Sequence, residues 1–363
     1  MMIPLVKPFI APREELIPAL EKTLYSGYIA EGEYVYEFER LFGEYIQNPY
    51  SISLNSGTAA LHIALLLAGV KEGDEVISTA LTAEPTNVAI KLAGAKVVWC
   101  DIEPSTGLLD PASVRAKITS KTKAIMLVHY AGMVCNLSEF NKISQEFNIP
   151  LIEDAAHALG SKFSGKPIGS NAEYTIFSLQ AIKHMTTVDG GFLCVKNKEK
   201  AEQARLKRWF GLDKTKPRLE NDIKEAGYKY HMNNVNATIG LVQMKHIRNI
   251  VAKHVENGKF YDEKLKEVSG ITLLNYAPNT EPSYWLYTLK VERRNDFIKK
   301  MGVNGILASE LHLRNDRHSV FAESKCSLPN LEDFYSKFVH IPCGWWVTNE
   351  ERQKIVDVIK KGW

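Results

Sequence analysis

One lysine in an irregular polar stretch is the residue of this chain best suited to covalent chemistry. Lys183 lies in the segment FSLQAIKHMTTVDGG, residues 177–191, which has little helical or strand pattern and ends in a pair of glycines. A lysine held between a strand end and such a turn is partly desolvated, which lowers its pKa and leaves a free amine able to attack an aldehyde. The competing interpretation is an ordinary surface lysine, because most lysines are exposed.

An acidic residue at the end of a predicted buried strand is the second chemically suggestive feature. The strand IPLIED, residues 149–154, ends at Asp154, and His157 follows in a turn of small residues. Strand ends of this kind are where α/β folds place ligand groups, and an aspartate there can hold the proton of a ring nitrogen. A helix cap at Asp154 and a buried structural histidine at 157 remain the alternatives.

A short strand that breaks into a helix predicts an anion site. The strand SISL, residues 51–54, is followed by NSGTAAL, which places Gly57 and Thr58 at the start of an apolar helix. Free backbone N–H groups, a hydroxyl and the helix dipole all favour a phosphate at such a position. Ordinary helix capping is the alternative.

Two further polar segments could contact a ligand. GYKYHMN, residues 227–233, interleaves aromatic and basic side chains, which can stack on a ring or reach a phosphate. LHLRNDRH, residues 311–318, carries Arg314, whose guanidinium can pair with a carboxylate or hold a sugar. A solvated loop and an exposed loop with salt bridges are the respective alternatives.

In this order and at this spacing, the segments resemble the DegT/DnrJ family of pyridoxal-phosphate-dependent sugar aminotransferases, which have the aspartate-aminotransferase-type fold. The matching segments are SGYIAEGEYVYEFE (26–39), NSGTAAL (55–61), EDAAHALGS (153–161), FSLQAIKHMTTVDGG (177–191) and GYKYHMNN (227–234). The matches cover nearly the whole chain. Because they occur in order, together they carry more weight than any one of them alone.

The resemblance implies a role for each matched residue. Lys183 would carry pyridoxal 5′-phosphate and shuttle protons, with pyridoxamine phosphate as the aminated form of the cofactor. Asp154 would pair with the pyridine nitrogen, and His157 would lie near the ring and its 3-oxygen. The phosphate ligands would be Gly57, Thr58 and Ser178. Lys183, Asp154 and His157 are therefore the predicted catalytic residues.

The resemblance also concerns the substrate and a partner subunit. The family usually has asparagine where this chain has Lys229, which would reach the phosphate of the partner's cofactor and implies a homodimer with shared sites. Tyr28, His184 and Arg314 are the candidate substrate contacts, although a packed surface aromatic is the alternative for Tyr28. Relatives often carry an aromatic residue at the position of Ala83, so the group that stacks on the cofactor is left open.

Transamination is the implied reaction. L-glutamate would supply the amino group and a keto-deoxysugar, nucleotide-linked in much of the family, would receive it, yielding an amino sugar for a surface polysaccharide or a natural product. Relatives with histidine in place of the lysine are sugar dehydratases, and Lys183 argues against that reaction. A non-catalytic regulator and a dinucleotide-binding oxidoreductase are further alternatives; the second is disfavoured because no G-x-G-x-x-G turn follows the first strand.

Composition narrows the function classes. The chain has 363 residues, a net charge of +3 and no long basic block, which argues against a nucleic-acid partner. Its five cysteines are scattered without CxxC spacing, which argues against a disulfide framework or a metal site and for reduced thiols. No apolar run approaches the roughly 20 residues of a membrane span, and the proline-interrupted start is not a signal peptide. We therefore expect a cytoplasmic enzyme.

The elements that must position these residues alternate along the chain. From residue 51 strands and helices follow one another, which predicts an α/β fold, the type I fold of pyridoxal-phosphate transferases, with a mostly parallel seven-stranded sheet between helices. A hairpin strand at 192–195 would be antiparallel. A short helix is predicted after residue 154, a mobile loop over 212–226, and one helix from near 234 past 250. We expect a cofactor-binding large domain of residues 1–250 and a smaller C-terminal α+β domain of residues 251–363.

Overall fold

A seven-stranded sheet organises the larger part of the molecule. The structure, a computed structural model, describes residues 2–363. The strands of the chain are β1 (Ser51–Leu54), β2 (Glu75–Thr79), β3 (Lys96–Cys100), β4 (Thr122–Val128), β5 (Leu151–Asp154), β6 (Lys162–Phe163), β7 (Lys166–Pro167), β8 (Tyr174–Ser178), β9 (Gly191–Val195), β10 (Ile271–Leu273), β11 (Thr280–Glu281), β12 (Tyr287–Val291) and β13 (Phe338–Ile341). The large sheet has the order β1-β9-β8-β5-β4-β2-β3. Only β9 runs antiparallel to its neighbours, so the predicted mostly parallel sheet is confirmed.

Helices connect the strands and form the outer layers. They are α1 (Arg13–Tyr25), α2 (Glu33–Ile46), α3 (Gly57–Leu67), α4 (Glu84–Leu92), α5 (Pro111–Lys117), α6 (Leu137–Phe147), α7 (Lys198–Arg208), α8 (Asn234–Met244), α9 (Ile247–Leu265), α10 (Arg294–Val303), α11 (Pro329–Lys337) and α12 (Asn349–Lys360). Strands β5 and β9 are buried along their whole length and β4 is buried except at Lys123, as expected of strands covered on both faces. No helix within residues 2–363 is both long and apolar enough to cross a membrane.

The helix α2 shows how sequence pattern becomes core packing. Its apolar residues recur at helical spacing and are fully buried at Val35, Phe38, Phe42 and Ile46. The ring of Phe42 stacks on Phe192 of β9 at a centroid distance of 3.8 Å. This contact packs α2 against β9, the strand that precedes α7. The helices α2 and α7 also carry charged side chains that are buried in the interior.

A second hydrophobic core lies in the C-terminal part of the chain. Strands β10, β12 and β13 form an antiparallel three-stranded sheet, against which α10, α12 and the later turns of α9 pack. The proposed domain boundary at residue 250 falls inside α9. Ile247 and Val251 of this helix belong to the large core, whereas Tyr261 and Leu265 belong to the second one.

Two predicted helices differ from the structure. The helix expected from near 234 past 250 is broken: α8 ends at Met244 and α9 begins at Ile247, with tight hydrogen bonds from the N–H groups of Lys245 and His246 to carbonyls three residues back. Packing decides this break, since neither glycine nor proline marks it. The short helix expected after Asp154 does not form, because the Asp154 carboxylate accepts the N–H of Ala156 and competes with helical hydrogen bonding.

The segment 212–226 is a closed loop. Asp213 and Asn221 pair through two hydrogen bonds: the Asp213 N–H donates to Asn221 Oδ1 at 2.8 Å and the Asn221 amide donates to the Asp213 carbonyl at 3.0 Å. A single helical turn, Arg218–Glu220, lies within it. The mobility of this loop stays a prediction.

Candidate active site

A cavity of about 380 Å³ opens where β5 and β8 end and α3 and α4 begin. Asp154 closes β5, Ser178 closes β8, and the residues that start α3 lie beside them. The cavity therefore lies at the carboxyl edge of the parallel strands, the usual ligand position of such sheets. Six of the residues predicted from sequence line it: Gly57, Thr58, Asp154, His157, Ser178 and Lys183.

The first turn of α3 forms a cradle with Ser178. A Cβ atom on Gly57 would lie only 3.0 Å from the Ser178 Cβ and 3.3 Å from its hydroxyl oxygen, so glycine is needed for this approach. Ser56 caps the helix by accepting the Ala59 N–H at 3.0 Å. Free N–H groups of the first turn and the Ser178 hydroxyl thus converge on one side of the cavity, in an arrangement that suits a phosphate.

Asp154 is a buried carboxylate with two hydrogen-bond donors. Thr86 of α4 donates its hydroxyl to one carboxylate oxygen at 2.7 Å, and the Ala156 N–H donates to the other at 3.0 Å. Burial raises the pKa of Asp154, while these two donors and the charge of Lys183 favour its ionised form. A desolvated carboxylate of this kind is stabilised by a cationic N–H group placed in the cavity.

Lys183 reaches the floor of the same cavity without a paired anion. Within residues 2–363 its amine has neither a hydrogen-bond acceptor nor a salt-bridge partner. Desolvation lowers the pKa of Lys183 to about 8, although the charge of Asp154 opposes the change. The ring centroid of Trp285 lies 4.3 Å from Nζ. An appreciable fraction of this amine is uncharged near neutral pH.

His157 is held as a neutral imidazole. It is buried, and the Ala131 N–H donates to its Nδ1 at 3.3 Å, so the ring proton lies on Nε2. Burial and the charge of Lys183 keep the pKa of His157 well below its usual value. Its ring stacks on Trp285 at 3.9 Å and is nearly parallel to that of His312 at 6.1 Å. His157 can therefore donate, but not accept, a hydrogen bond through Nε2.

Two predicted residues lie away from this cavity on the protein surface. The side chain of Tyr28 is 80 % exposed, and its carbonyl accepts the Asn234 amide. Lys229 is exposed as well, and its carbonyl accepts the Asn55 amide at 3.2 Å. Their predicted roles towards a substrate and a partner's cofactor stay predictions, since both would act on a second copy of the chain or on a bound sugar.

Two other substrate predictions disagree with the structure. His184 is 2 % exposed and directs Nε2 to the Ser283 carbonyl at 3.2 Å, so it anchors the chain rather than facing a ligand. The guanidinium of Arg314 is already paired with Asp316, at 2.8 and 2.7 Å, and with Glu332. Asp316 and Glu332 neutralise the charge of Arg314 and occupy three of its five N–H donors, and the side chain does not line the cavity.

Several cavity residues were not found from the sequence. His312, in the segment that suggested Arg314, lines the cavity, and its Nε2 is buried without a hydrogen-bond partner. Thr86, in the first turn of α4, also lines the cavity, and its hydroxyl lies 2.8 Å from that of Thr82, which precedes the helix. Trp285 carried no signal beyond a strand-like pattern. Ala83 lines the cavity with its methyl group only, so no aromatic side chain stands at that position.

Comparisons with known proteins agree with this geometry. A family model described as the DegT/DnrJ/EryC1/StrS aminotransferase family matches residues 11–360. The UDP-4-amino-4-deoxy-L-arabinose–oxoglutarate aminotransferase of Shewanella sediminis is 37% identical over 289 residues, which are 78% of this chain and 72% of that protein. The structure of the sugar aminotransferase CalS13 from Micromonospora echinospora is similar with a TM-score of 0.96 and 34% identity, over 100% of both chains. The putative sugar aminotransferase Spr1654 of Streptococcus pneumoniae, in its PLP form, has a TM-score of 0.90 and 29% identity over 99% of this chain and 98% of that one.

Proposed function

The chain belongs to the DegT/DnrJ/EryC1/StrS aminotransferase family, and from this premise we propose that it transfers the amino group of L-glutamate to a nucleotide-linked keto-deoxysugar. The family resemblance predicted from the motifs is confirmed, and the chain is a pyridoxal-phosphate-dependent aminotransferase that acts on a sugar. The donor, the nucleotide and the pathway, an amino sugar for a surface polysaccharide or a natural product, belong to the proposal. The observation that carries it is Lys183, unpaired and desolvated in one cavity with Asp154.

The cavity residues fit pyridoxal phosphate. The N–H groups at the start of α3, beside the Ser178 hydroxyl, suit the phosphate, and the buried carboxylate of Asp154 suits a protonated ring nitrogen. The amine of Lys183 suits the aldehyde. When bound, the cofactor supplies an electron sink for the charge left on carbon after proton removal.

Each catalytic residue then has a definable task. Lys183, with a pKa of about 8, can take a proton from a substrate carbon near neutral pH and return it to another atom. Asp154, fixed by Thr86 and by the N–H of Ala156, holds a proton at the ring nitrogen. His157 offers the N–H of Nε2 to an oxygen acceptor.

The substrate assignment is supported by similarity and by the mouth of the cavity. The printed name of the Shewanella relative pairs a UDP-linked amino sugar with oxoglutarate, the keto acid that L-glutamate becomes after donating its amino group. Glu84 and His312 line the cavity, with the Glu84 carboxylate 3.9 Å from His312 Nδ1, and His318, outside the lining, has its Nε2 3.7 Å from the same carboxylate. We assign these three side chains, in place of Arg314 and His184, to the hydroxyl groups of the sugar.

We also propose that the working unit is a homodimer. Lys229 is exposed and lies outside the cavity of its own subunit, which supports a contact with the cofactor of a second copy. Lys229→Ala is expected to retain less cofactor after gel filtration, while Lys224→Ala, a change at another exposed lysine nearby, retains it. Equal retention in both variants would reject the shared site.

The proposed reaction is tested with the absorption spectrum of the purified protein loaded with pyridoxal phosphate. L-glutamate is expected to convert the visible band to that of the aminated cofactor and to release 2-oxoglutarate, and a UDP- or dTDP-linked 4-keto-6-deoxysugar is expected to restore the band. A band that responds to another amino acid but not to glutamate would reject the donor. Restoration by a free keto sugar alone would reject the nucleotide link, and failure to bind the cofactor would reject the whole proposal.

A further inference from the structure

Trp285 lies against the reactive amine. Its side chain is 2 % exposed, and the centroid of its ring is 4.3 Å from Lys183 Nζ. The same indole stacks on the imidazole of His157, with 3.9 Å between the centroids and 19° between the planes. One aromatic side chain, contributed from outside the strands and loops that carry the catalytic residues, thus contacts two of them.

The indole is tied to the backbone of the lysine. Trp285 donates its Nε1–H to the carbonyl of Ile182, the residue before Lys183, at 2.9 Å. The segment that carries Trp285 is in turn anchored by the N–H groups of Ser283 and Leu286, which donate to the carbonyls of Gly132 and Ala131. The position of the ring relative to Lys183 is therefore fixed at both ends of the contact.

Gly132 makes this approach possible. Its φ of +93° is in the region that favours glycine, and a Cβ there would lie 2.8 Å from the backbone nitrogen of Trp285. A side chain at this position would overlap the backbone nitrogens of Tyr284 and Trp285, so the segment could pack here only after shifting. The close approach is thus built into the backbone rather than produced by a flexible side chain.

The indole of Trp285 influences the charge of Lys183 because the amine has no hydrogen-bond acceptor in the described part of the chain. Within the described residues 2–363 no oxygen accepts a hydrogen bond from Lys183 Nζ. The face of an indole carries negative charge density and attracts a cation, most strongly where water is excluded. The ring therefore acts together with the charge of Asp154 in favouring the ammonium form, which desolvation disfavours.

We propose that Trp285 is a positioning residue that holds the Lys183 amine in place and stabilises its protonated form. In the proposed reaction, this lets the lysine retain a proton taken from one atom until it is delivered to the next. The purpose rests on the proposed function, whereas the effect on the amine is a property of the chain itself and is measured without turnover.

The test measures the proton affinity of Lys183 in the apoprotein. Only the free amine attacks an aldehyde, so the rate of reaction with pyridoxal, followed against pH and corrected with Lys183→Arg, reports the pKa of Lys183. Trp285→Phe and Trp285→Leu both lose the bond to Ile182, but only the leucine variant loses the aromatic face. We expect the pKa of Lys183 to be lower in Trp285→Leu than in Trp285→Phe by about one unit. Equal values in the two variants would overturn the inference.

A second measurement avoids any substitution that could disturb folding. The wild-type chain is produced with tryptophan replaced by its mono-, di- and trifluorinated analogues, which keep the shape and the N–H group but weaken the negative face of the ring. We expect the pKa of Lys183 to fall stepwise with the number of fluorine atoms, and to stay constant in Trp285→Phe protein labelled in the same way. A wild-type pKa independent of fluorination would refute the role of the ring.

The two proposals fail separately. If the fluorine series behaves as expected but glutamate never aminates the cofactor, the proposed function is wrong and the contact between Trp285 and Lys183 stands. If transamination proceeds but the series is flat, the function stands and Trp285 is only a packing residue. In an active enzyme, Trp285→Leu is expected to lower kcat more than it changes KM, because the substrate is bound by other residues.

Discussion

Arg208 and Lys183 are two desolvated basic residues with opposite surroundings, the first fully buried and the second half-buried at the cavity. The Arg208 side chain is 2 % exposed and donates to Glu31 at 2.7 Å, to Glu39 at 2.5 Å and to the Ser53 carbonyl at 2.9 Å. Lys183 has no such acceptor within residues 2–363 and lies beside an aromatic ring instead. One cation is compensated by charge and hydrogen bonds, and the other is left almost uncompensated.

The two environments change the proton affinities in opposite directions. Burial lowers the pKa of Arg208, but the charges of Glu39 and Glu31 more than offset it and the net pKa is raised. Burial raises the pKa of Glu39 as well, yet Arg208 and Arg205 bring it below its usual value. At Lys183 desolvation dominates over the charge of Asp154 and the pKa falls to about 8. A perturbed, uncompensated group in a cavity marks chemistry, whereas a fully paired one marks architecture.

The location of each residue explains the difference. Arg208 ends α7 and reaches between α2 and β1, where the carboxylates of Glu31 and Glu39 surround its guanidinium. Lys183 lies on an irregular loop whose open side faces the cavity. The first arrangement closes the interior, and the second leaves room for a cofactor.

The largest effect that separates the two residues is expected from Lys183→Met. Loss of the amine should lower transamination by at least about 10⁴-fold, because the group that reacts and carries protons is gone. The apoprotein should keep its stability or gain about 0.5–2 kcal/mol in unfolding free energy, since a desolvated, unpaired amine is removed. Activity assays and urea denaturation measure both. A marked loss of stability would mean that Lys183 also supports the fold, which would contradict the proposed difference between Lys183 and Arg208.

Arg208→Met should show the reverse pattern. We expect the unfolding free energy to fall by about 3–5 kcal/mol, because Glu31 and Glu39 would keep only the partly exposed cations Lys214 and Arg205, beside neutral donors such as Ser53. Urea denaturation measures the change. The matched control is Arg205→Met, whose side chain is 41 % exposed and whose loss should cost less than about 1 kcal/mol. Similar costs in the two variants would show that burial of the ion pair does not matter here.

His340 is a buried titratable residue whose hydrogen-bond partners are neutral, and its expected effect on stability is smaller than that of Arg208. It is fully buried between neutral hydroxyls, 3.2 Å from Tyr130 Oη and 2.9 Å from Thr288 Oγ1, and burial lowers its pKa to about 3. An unfolded histidine takes up a proton near pH 6.5, so between pH 6.5 and 3 the unfolded state binds more protons. Stability is therefore full above pH 6.5 and is lost as the pH falls through this window, by about 1.4 kcal/mol per pH unit for one histidine.

The measurement is the urea-unfolding free energy from pH 7 to pH 5 in wild type and His340→Gln. The slope should become shallower in the variant, and His318→Gln, at a partly exposed histidine, should leave it unchanged. An unchanged slope in His340→Gln would show that hydroxyl contacts compensate the buried ring as fully as carboxylates compensate Arg208.

The cavity residues expected to bind the cofactor could be predicted from the sequence, whereas the residues on the other side of the cavity could not. Lys183, Asp154, Gly57 and Ser178 stand at strand ends and helix starts, where local pattern indicates position, and they meet in one cavity as expected. Arg314 was the polar residue that drew attention in its segment, yet the cavity receives His312 instead. His312 and Arg314 are two residues apart, but Arg314 does not line the cavity, because its guanidinium pairs with Asp316 and Glu332.

The sequence alone determined the type of chemistry, the seven-stranded sheet and the family, because strand and helix periodicity and the ligand motifs are local properties of the chain. Tertiary structure alone decided which basic residue is paired and which is left free, where α8 gives way to α9, and that Trp285 lies against Lys183. These features depend on contacts across the chain, such as the 103 residues that separate Ile182 from Trp285. Burial and pairing follow from packing between distant elements, and no local pattern encodes them.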